Sequence, residues 1–113
     1  MSTAANTPFA RRPFGVNLIG HAFDVFGISE DIRMVARALA AAGVPFCVIN
    51  YPAANGAAST DRSLEPWLCT DPNGGPYVFN LVCMAAPIQA RWLRQCGLAP
   101  LRERYTVSEW PWE

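Results

Sequence analysis

The sequence contains no lysine, and its nine basic residues are all arginine. A Schiff-base lysine, or a lysine that clamps phosphate, is therefore excluded from any mechanism. Nine acidic residues balance the arginines, so the formal net charge is zero. A chain of balanced charge gives no indication of a nucleic acid or an anionic membrane surface as its partner. We therefore expect no nucleic-acid partner.

Long apolar runs are also missing. No stretch reaches the roughly 18 consecutive apolar residues that a membrane-spanning helix requires. Residues 1–14 lack the apolar core of a secretion signal and are mostly small and polar. We expect no membrane span and a cytoplasmic location. We interpret residues 1–14 as a disordered leader ahead of one domain over residues 15–113.

Four cysteines are present, but no two are separated by two to four residues, as zinc ligands usually are. A single histidine cannot complete such a site, so we predict no metal. Cys47 and Cys83 fall within apolar runs, which favours buried structural thiols, and a reactive cysteine is the alternative. Gly20 and Gly27 are too far apart for the G-x-G-x-x-G dinucleotide fingerprint, and we predict no cofactor.

The most informative stretch covers residues 15–51. GVNLIG is a short apolar run typical of a strand buried on both faces, and FCVINY is a second. Between them, apolar residues recur at helical spacing and predict a helix over residues 29–42 that Gly43 terminates. Arg33 and Arg37 are predicted on its water-facing side. The stretch therefore predicts a right-handed βαβ unit.

The remaining sequence continues this alternation. DPNGGP at 71–76 is the strongest turn signal, residues 77–84 and 105–110 are predicted strands, and Pro87 opens a helix that Gly97 closes. The fold class is therefore α/β, a Rossmann-like parallel sheet of about four strands in the order 3-2-1-4 with flanking helices. This is about half of a doubly wound domain. Because the sequence ends just after the fourth strand, we interpret the domain as truncated.

Five segments in this order resemble the amino-terminal part of glycosyltransferases that have two Rossmann-like domains, the GT-B fold. The segments are GVNLIGHAF, FGISEDIRMVARALAAAGVPFCVINYP, DRSLEPWL, FNLVCM and ERYTVSEWPWE. They are most similar to glycogen-synthase-like, retaining enzymes of bacterial polysaccharide biosynthesis. The resemblance implies that the amino-terminal domain holds the sugar or glycan acceptor. It also implies that a second domain, absent from this sequence, binds the nucleotide sugar.

The segment Gly27-Ile28-Ser29-Glu30 is predicted at the carboxyl end of the first strand, where open α/β sheets bind ligands. Gly27, Ser29 and Glu30 are therefore candidate substrate-binding residues. Carboxylates repel phosphate, so sugar hydroxyls are the favoured ligand groups. The alternative is that Ser29 and Glu30 only cap the helix.

Other candidate residues lie near the same edge. Gly20 closes the first strand, and His21 follows it as a candidate base or as a hydrogen-bond partner of a substrate hydroxyl. The alternative for His21 is a loop histidine bonded to a backbone carbonyl. Trp110 is a candidate sugar-stacking residue, or else it packs in a core or domain interface. Asn80 lies within a predicted strand, where its amide must find partners.

Two functions remain open at this point. One is the acceptor-binding portion of a nucleotide-sugar-dependent glycosyltransferase that is inactive alone. The other is a non-catalytic Rossmann-like module that binds a partner protein or a small ligand. Whether the chain is itself an enzyme is left open, and self-association through an exposed sheet edge is a further expectation.

Overall fold

The computed structural model describes residues 12–23, 27–52 and 61–109, and for residues 27–30 it describes the backbone alone. These residues form one sheet and two main helices. The elements are β1 (Val16–Gly20), α1 (Gly27–Ala42), β2 (Phe46–Asn50), β3 (Phe79–Cys83), α2 (Ala86–Cys96) and β4 (Tyr105–Glu109). Short 3₁₀ turns cover Glu65–Trp67 and Ala99–Leu101.

All paired strands of the sheet are parallel, and the predicted α/β fold with flanking helices is confirmed. The order is β2-β1-β3-β4, so the predicted order 3-2-1-4 was wrong. We had expected β3 outside β2, but it pairs with β1, where the buried amides of Asn17 and Asn80 bond to each other. The outer side of β2 instead carries an isolated bridge between Val48 and Leu68.

The two helices cover opposite faces of the sheet. On the α1 face the buried residues are Leu18, Ala22, Ile32, Ala36, Phe46, Val48, Leu64 and Cys83. On the α2 face they are Ile19, Val82, Met84 and Trp92. Strands β1, β2 and β3 therefore send alternate side chains towards two cores, as a doubly wound arrangement requires.

The helix boundaries follow the sequence signals closely. Helix α1 starts at Gly27, two residues before the predicted start, and ends at Ala42. Gly43 follows in the left-handed conformation (φ 73°), and the amide of Val44 donates to the Leu39 carbonyl at 2.9 Å. This is the glycine-terminated helix end that the sequence predicted. Helix α2 has a proline in its first turn and Gly97 after its last residue, also as predicted.

A row of polar side chains crosses the sheet on its α2 face. Cys47, Asn17, Asn80 and Thr106 occupy matching register positions on β2, β1, β3 and β4. The Asn17 amide donates to the Asn80 side-chain oxygen at 2.9 Å, and Asn80 Nδ2 donates to Thr106 Oγ1 at 3.2 Å. The Cys47 thiol donates to Asn17 Oδ1 at 3.3 Å. This row joins all four strands through side chains as well as through the backbone.

The turn at 71–76 packs directly on this row. The amide of Tyr77 donates to Asn17 Oδ1 at 3.1 Å, and Asn17 Nδ2 donates to the Tyr77 carbonyl at 2.9 Å. A Cβ atom on Gly75 would lie only 2.1 Å from Asn17 Oδ1 and 2.8 Å from Cys47 Sγ. Only glycine therefore allows the backbone to approach the row so closely.

Arg104 ties this turn to the segment before β4. Its guanidinium is buried and donates to the carbonyl oxygens of Gly75, Ala99, Pro100 and Arg102 at 2.7–3.2 Å. The pKa of Arg104 is lowered, and burial of the guanidinium is the largest cause. The guanidinium fork suits several acceptors at once, so Arg104 has a structural role here.

Residues 12–14, the first that the structure describes, contact the rest of the domain, and Arg12 Nη2 lies 3.6 Å from Glu103 Oε1. The Val78 amide donates to the Pro13 carbonyl at 3.0 Å, and the Phe14 ring lies edge-on to Phe79 with 6.2 Å between centroids. The rest of the predicted leader, residues 1–11, lies outside the described residues. No helix within the described ranges is long and apolar enough to cross a membrane.

Strand β4 forms one edge of the described sheet, and all five of its residues are exposed. Tyr105 and Val107 keep 51% and 58% of their surface accessible. Such an edge offers unpaired backbone groups beside apolar side chains. Self-association through it stays a prediction.

Replacing Asn80 by alanine should lower the free energy of unfolding by about 2–3 kcal/mol, because the buried amide of Asn17 and the Pro100 carbonyl each lose one hydrogen-bond partner. Urea denaturation measures this loss. Asn73→Ala is the matched control, since Asn73 is exposed in a turn, and it should change stability by less than about 0.5 kcal/mol. Equal effects of the two substitutions would contradict the importance of the polar row.

The four cysteines should react differently with iodoacetamide. Cys47 and Cys83 are 8% and 2% exposed and should stay unmodified in the native protein, whereas the partly exposed Cys69 and Cys96 should be alkylated. Mass spectrometry with and without denaturant identifies the modified positions. Native labelling of Cys83 as fast as that of Cys69 would disprove the buried placement.

Candidate functional site

The candidate site lies at the carboxyl ends of β1 and β3. From β1, the chain crosses through α1 to β2 on one side of the sheet, and from β3 it crosses through α2 to β4 on the other side. The two neighbouring strands therefore diverge at this point, with their helices on opposite faces. Ligands of open α/β sheets bind in the crevice at such a switch point. The change in strand order moves the switch point to a position between β1 and β3.

Gly20 is the last residue of β1 and pairs with Cys83 of β3. A Cβ atom at Gly20 would lie 2.8 Å from the Cys83 carbonyl oxygen and 3.4 Å from Ile32 Cδ1. Its own carbonyl accepts hydrogen bonds from the amides of Ala22 and Tyr51 at 2.9 and 2.8 Å. Gly20 thus brings β3 and α1 close together at the base of the crevice, and its carbonyl is already occupied.

His21 follows directly and is only 6% exposed. Its Nδ1 lies 2.6 Å from the Tyr51 carbonyl oxygen, and the rings of His21 and Tyr51 stack with 6.1 Å between centroids. A carbonyl can only accept, so Nδ1 donates this hydrogen bond. This geometry matches the backbone-bonded alternative of the sequence analysis. It also fixes the orientation of the imidazole beside the crevice.

The other predicted site residues lie at or beyond the limits of the described chain. Gly27, Ser29 and Glu30 form the first turn of α1, where the backbone is described and their side chains are not. Gly27, which was expected in the turn before the helix, is the first helical residue. Trp110 lies outside the described residues, directly after Glu109 at the end of β4. The structure therefore brings Gly20, His21 and the start of α1 to one edge.

Two carboxylates give this edge its charge. The pKa of the Cys83 thiol is raised to about 12. Burial is the largest cause, the nearby carboxylate of Glu109 is the second, and the carboxylate of Asp31 is the third. Asp31 belongs to α1, and Glu109 belongs to β4, where it pairs in register with Cys83 of β3. Carboxylates accept hydrogen bonds from hydroxyl groups and repel phosphate.

The loop after β1 is supported by two residues that the sequence analysis did not identify in this role. Asn50 Oδ1 accepts hydrogen bonds from the amides of Ala22 and Phe23 at 2.9 and 3.3 Å. Arg33 is 2% exposed, so its predicted position on the wet face of α1 was wrong. Its Nη1 donates to the Ala22 carbonyl at 3.4 Å, and its Nε lies 3.5 Å from Asp61 Oδ2.

These roles left different signals in the sequence. Asn50 is a polar residue at the end of an apolar strand, and that position is itself a sign of a capping contact. Arg33 gave no such sign, because its partner Asp61 lies 28 positions away and only the tertiary fold brings them together. Asp61 is held by its own bonds to Ser63, which are the main cause that lowers its pKa.

Comparison of the chain with models of protein families, with curated proteins and with solved structures gave no match. Among the described residues, no group of three or more His, Cys, Asp or Glu side chains is arranged to hold a metal ion. The polar groups at this edge are carboxylates, backbone amides and one imidazole.

The Cys83 thiol should make folding sensitive to alkaline pH. Its pKa rises from 9.0 to about 12 on folding, so above pH 9 the unfolded chain loses this proton first. The contribution of Cys83 to the free energy of unfolding is therefore fully present below pH 9 and is lost towards pH 12. The loss is about 1.4 kcal/mol per pH unit. Urea unfolding measured between pH 8 and pH 11 gives the free energy of unfolding at each pH. This free energy should fall less steeply with pH for Cys83→Ala than for the wild type.

Cys96→Ala is the control, because Cys96 is less buried and should change the slope less. An identical pH slope for the wild type and Cys83→Ala would contradict the buried, carboxylate-flanked thiol.

Proposed function

We propose that the chain binds the hydroxyl groups of a sugar or glycan acceptor at the carboxyl ends of β1 and β3. We further propose that it is the acceptor-binding amino-terminal portion of a retaining, nucleotide-sugar-dependent glycosyltransferase of polysaccharide biosynthesis. The sequence resemblance supplies the enzyme class. The observation that supports the site is that Glu109 pairs in register with Cys83 at the switch point, while the carboxylate of Asp31 acts on the same thiol.

The charge of the crevice favours an acceptor over a donor. A sugar hydroxyl donates to a carboxylate in a charge-assisted hydrogen bond, which is stronger than a bond between neutral groups. A nucleotide diphosphate would instead meet two negative groups. No lysine exists in the sequence to offset them. The donor in this proposal is therefore held by a second domain, as the resemblance implies, and this chain alone transfers no sugar.

His21 is the catalytic candidate of this proposal. Its Nδ1 is held by the Tyr51 carbonyl, so the imidazole keeps one orientation next to the crevice. A base needs such a fixed orientation to receive a proton from an acceptor hydroxyl. Gly27, Ser29 and Glu30 complete the proposed acceptor wall from the first turn of α1, and Trp110 is proposed to stack on a sugar ring.

A second proposal, a non-catalytic module that binds a partner protein, is favoured by one observation. All five residues of β4 are exposed at an edge of the described sheet. An added strand would satisfy the open backbone groups of this edge. A partner at this edge would contact Tyr105 and Val107 and would leave the crevice residues unaffected.

The acceptor proposal predicts weak binding of neutral sugars and weaker or no binding of nucleotide sugars. The full chain would be titrated with glucose, galactose, N-acetylglucosamine and maltose, and separately with UDP-glucose and GDP-mannose, while backbone amide shifts are recorded. At least one neutral sugar should shift Gly20, His21 and residues 83–85, with a dissociation constant on the order of millimolar, because half a cleft buries little ligand surface.

Asp31→Asn and Glu109→Gln should each weaken sugar binding by about tenfold, because each removes a charged hydrogen-bond acceptor. Glu65→Gln is the matched control, since Glu65 is exposed and pairs with Arg62 away from the crevice, and it should bind like the wild type. Tight binding of a nucleotide sugar, or any sugar transfer by this chain alone, would refute the proposal. So would shifts confined to β4.

A further inference from the structure

A cavity of about 360 Å³ lies beside the edge strand β2, on the α2 side of the sheet. It is formed by β2, the segment after the Glu65–Trp67 turn, Phe23 after β1, and one side of α2. Its volume falls within the range of small-molecule sites, about 300–1,000 Å³. We propose that this cavity binds a small, neutral aromatic ligand that carries a hydrogen-bond acceptor next to a donor, as an aromatic amide does.

The walls of the cavity are mainly apolar. Ile49 of β2 and Leu68 lie on one side, Trp92 of α2 on another, and Phe23 near the end of β1. Trp92 is only 5% exposed, so packing holds its indole in place. A mainly apolar cavity with aromatic residues in its wall favours an aromatic ring over a strongly hydrated ligand.

The polar groups of the cavity define the polar edge of the ligand. Asn50 lines the cavity, and because its Oδ1 accepts from the amides of Ala22 and Phe23, Nδ2 is the group that this side chain can offer to a ligand. A ligand carbonyl or ring nitrogen can accept from this Nδ2. Thr70 and Asp71 also line the cavity and offer acceptor oxygens for a ligand N–H. The Asn50 donor and the Thr70 and Asp71 acceptors therefore suit a ring that carries a hydrogen-bond acceptor next to a donor.

Charge selects against anions. The residues that line the cavity include the carboxylate of Asp71 and no arginine, within the part of the chain that the structure describes. An anionic ligand would lose hydration and meet a like charge, whereas a neutral amide would lose less. The ligand class is therefore neutral.

This inference does not depend on the acceptor proposal. The crevice is built from the ends of β1 and β3 with Asp31 and Glu109, whereas the cavity is built from β2, residues 68–74 and α2. Either site can be disproved while the other stands.

Benzamide and benzoate are suitable probes, because they share one shape and differ in charge. In amide-shift titrations of the full chain, benzamide should shift residues 68–74 and the Trp92 indole, and benzoate should bind at least about tenfold more weakly because of Asp71.

Two thiols of the cavity wall, Cys69 and Cys96, provide a second measurement. Saturating benzamide should slow their alkylation by iodoacetamide several-fold, and benzoate should not.

Cys96→Trp fills the cavity and should abolish the benzamide shifts. Ala90→Trp adds the same ring on the exposed side of α2 and should leave them unchanged. The absence of benzamide shifts in the wild type would overturn the proposal, as would equal binding of benzoate or binding that survives in a folded Cys96→Trp protein. If Cys96→Trp does not fold, unprotected alkylation of both thiols in the wild type overturns it instead.

Discussion

The hydrogen bond between the buried amides of Asn17 and Asn80 is the constraint on which the sheet depends. Burying an amide is unfavourable unless its donors and acceptors are satisfied, so each of these residues requires the other at one register. A shift of either strand by one residue would turn the amide into the opposite, apolar core. The bond therefore specifies which strands are neighbours as well as how they align. Cys47 and Thr106 extend the same specification to both outer strands.

This constraint also positions the candidate site. With β3 held beside β1, the point where the connections diverge lies between these two strands, and Gly20 faces Cys83 there. The sheet order that we had predicted would have put β2 next to β3 and left Cys83 far from Gly20. The pairing of Asn17 with Asn80 near the start of the strands thus determines which groups meet at their carboxyl ends.

The sequence allowed the local structure to be predicted well, and the reason is physical. Helix α1, Gly43 and the turn at 71–76 depend on neighbours in the chain, and periodicity and turn chemistry describe such neighbours directly. Strand order and the burial of Arg33 depend on partners far away in the chain. The sequence marked Asn80 as a buried amide in need of a partner, but it could not tell which strand would supply that partner.

The candidate site was predictable to a similar extent. The carboxyl edge, Gly20 and His21 were found because they follow an apolar strand. The negative charge at that edge was not predicted, because Asp31 and Glu109 lie 78 positions apart in the sequence and belong to different elements. The resemblance to glycosyltransferases stays a prediction that the binding and transfer experiments decide.

The polar row also has a consequence for how the chain acquires its structure during synthesis. Asn17 leaves the ribosome 63 residues before Asn80 and 60 before Tyr77, and these two residues supply its partners on one side. A nascent chain that ends before them contains β1, α1 and β2, and its Asn17 side chain has the Cys47 thiol as a partner but lacks both partners of its Nδ2 group. The first βαβ unit therefore lacks these hydrogen bonds as it emerges. We expect the strand register to be fixed only once the second half of the chain is present, because these contacts join Asn17 to residues 60 and 63 positions away.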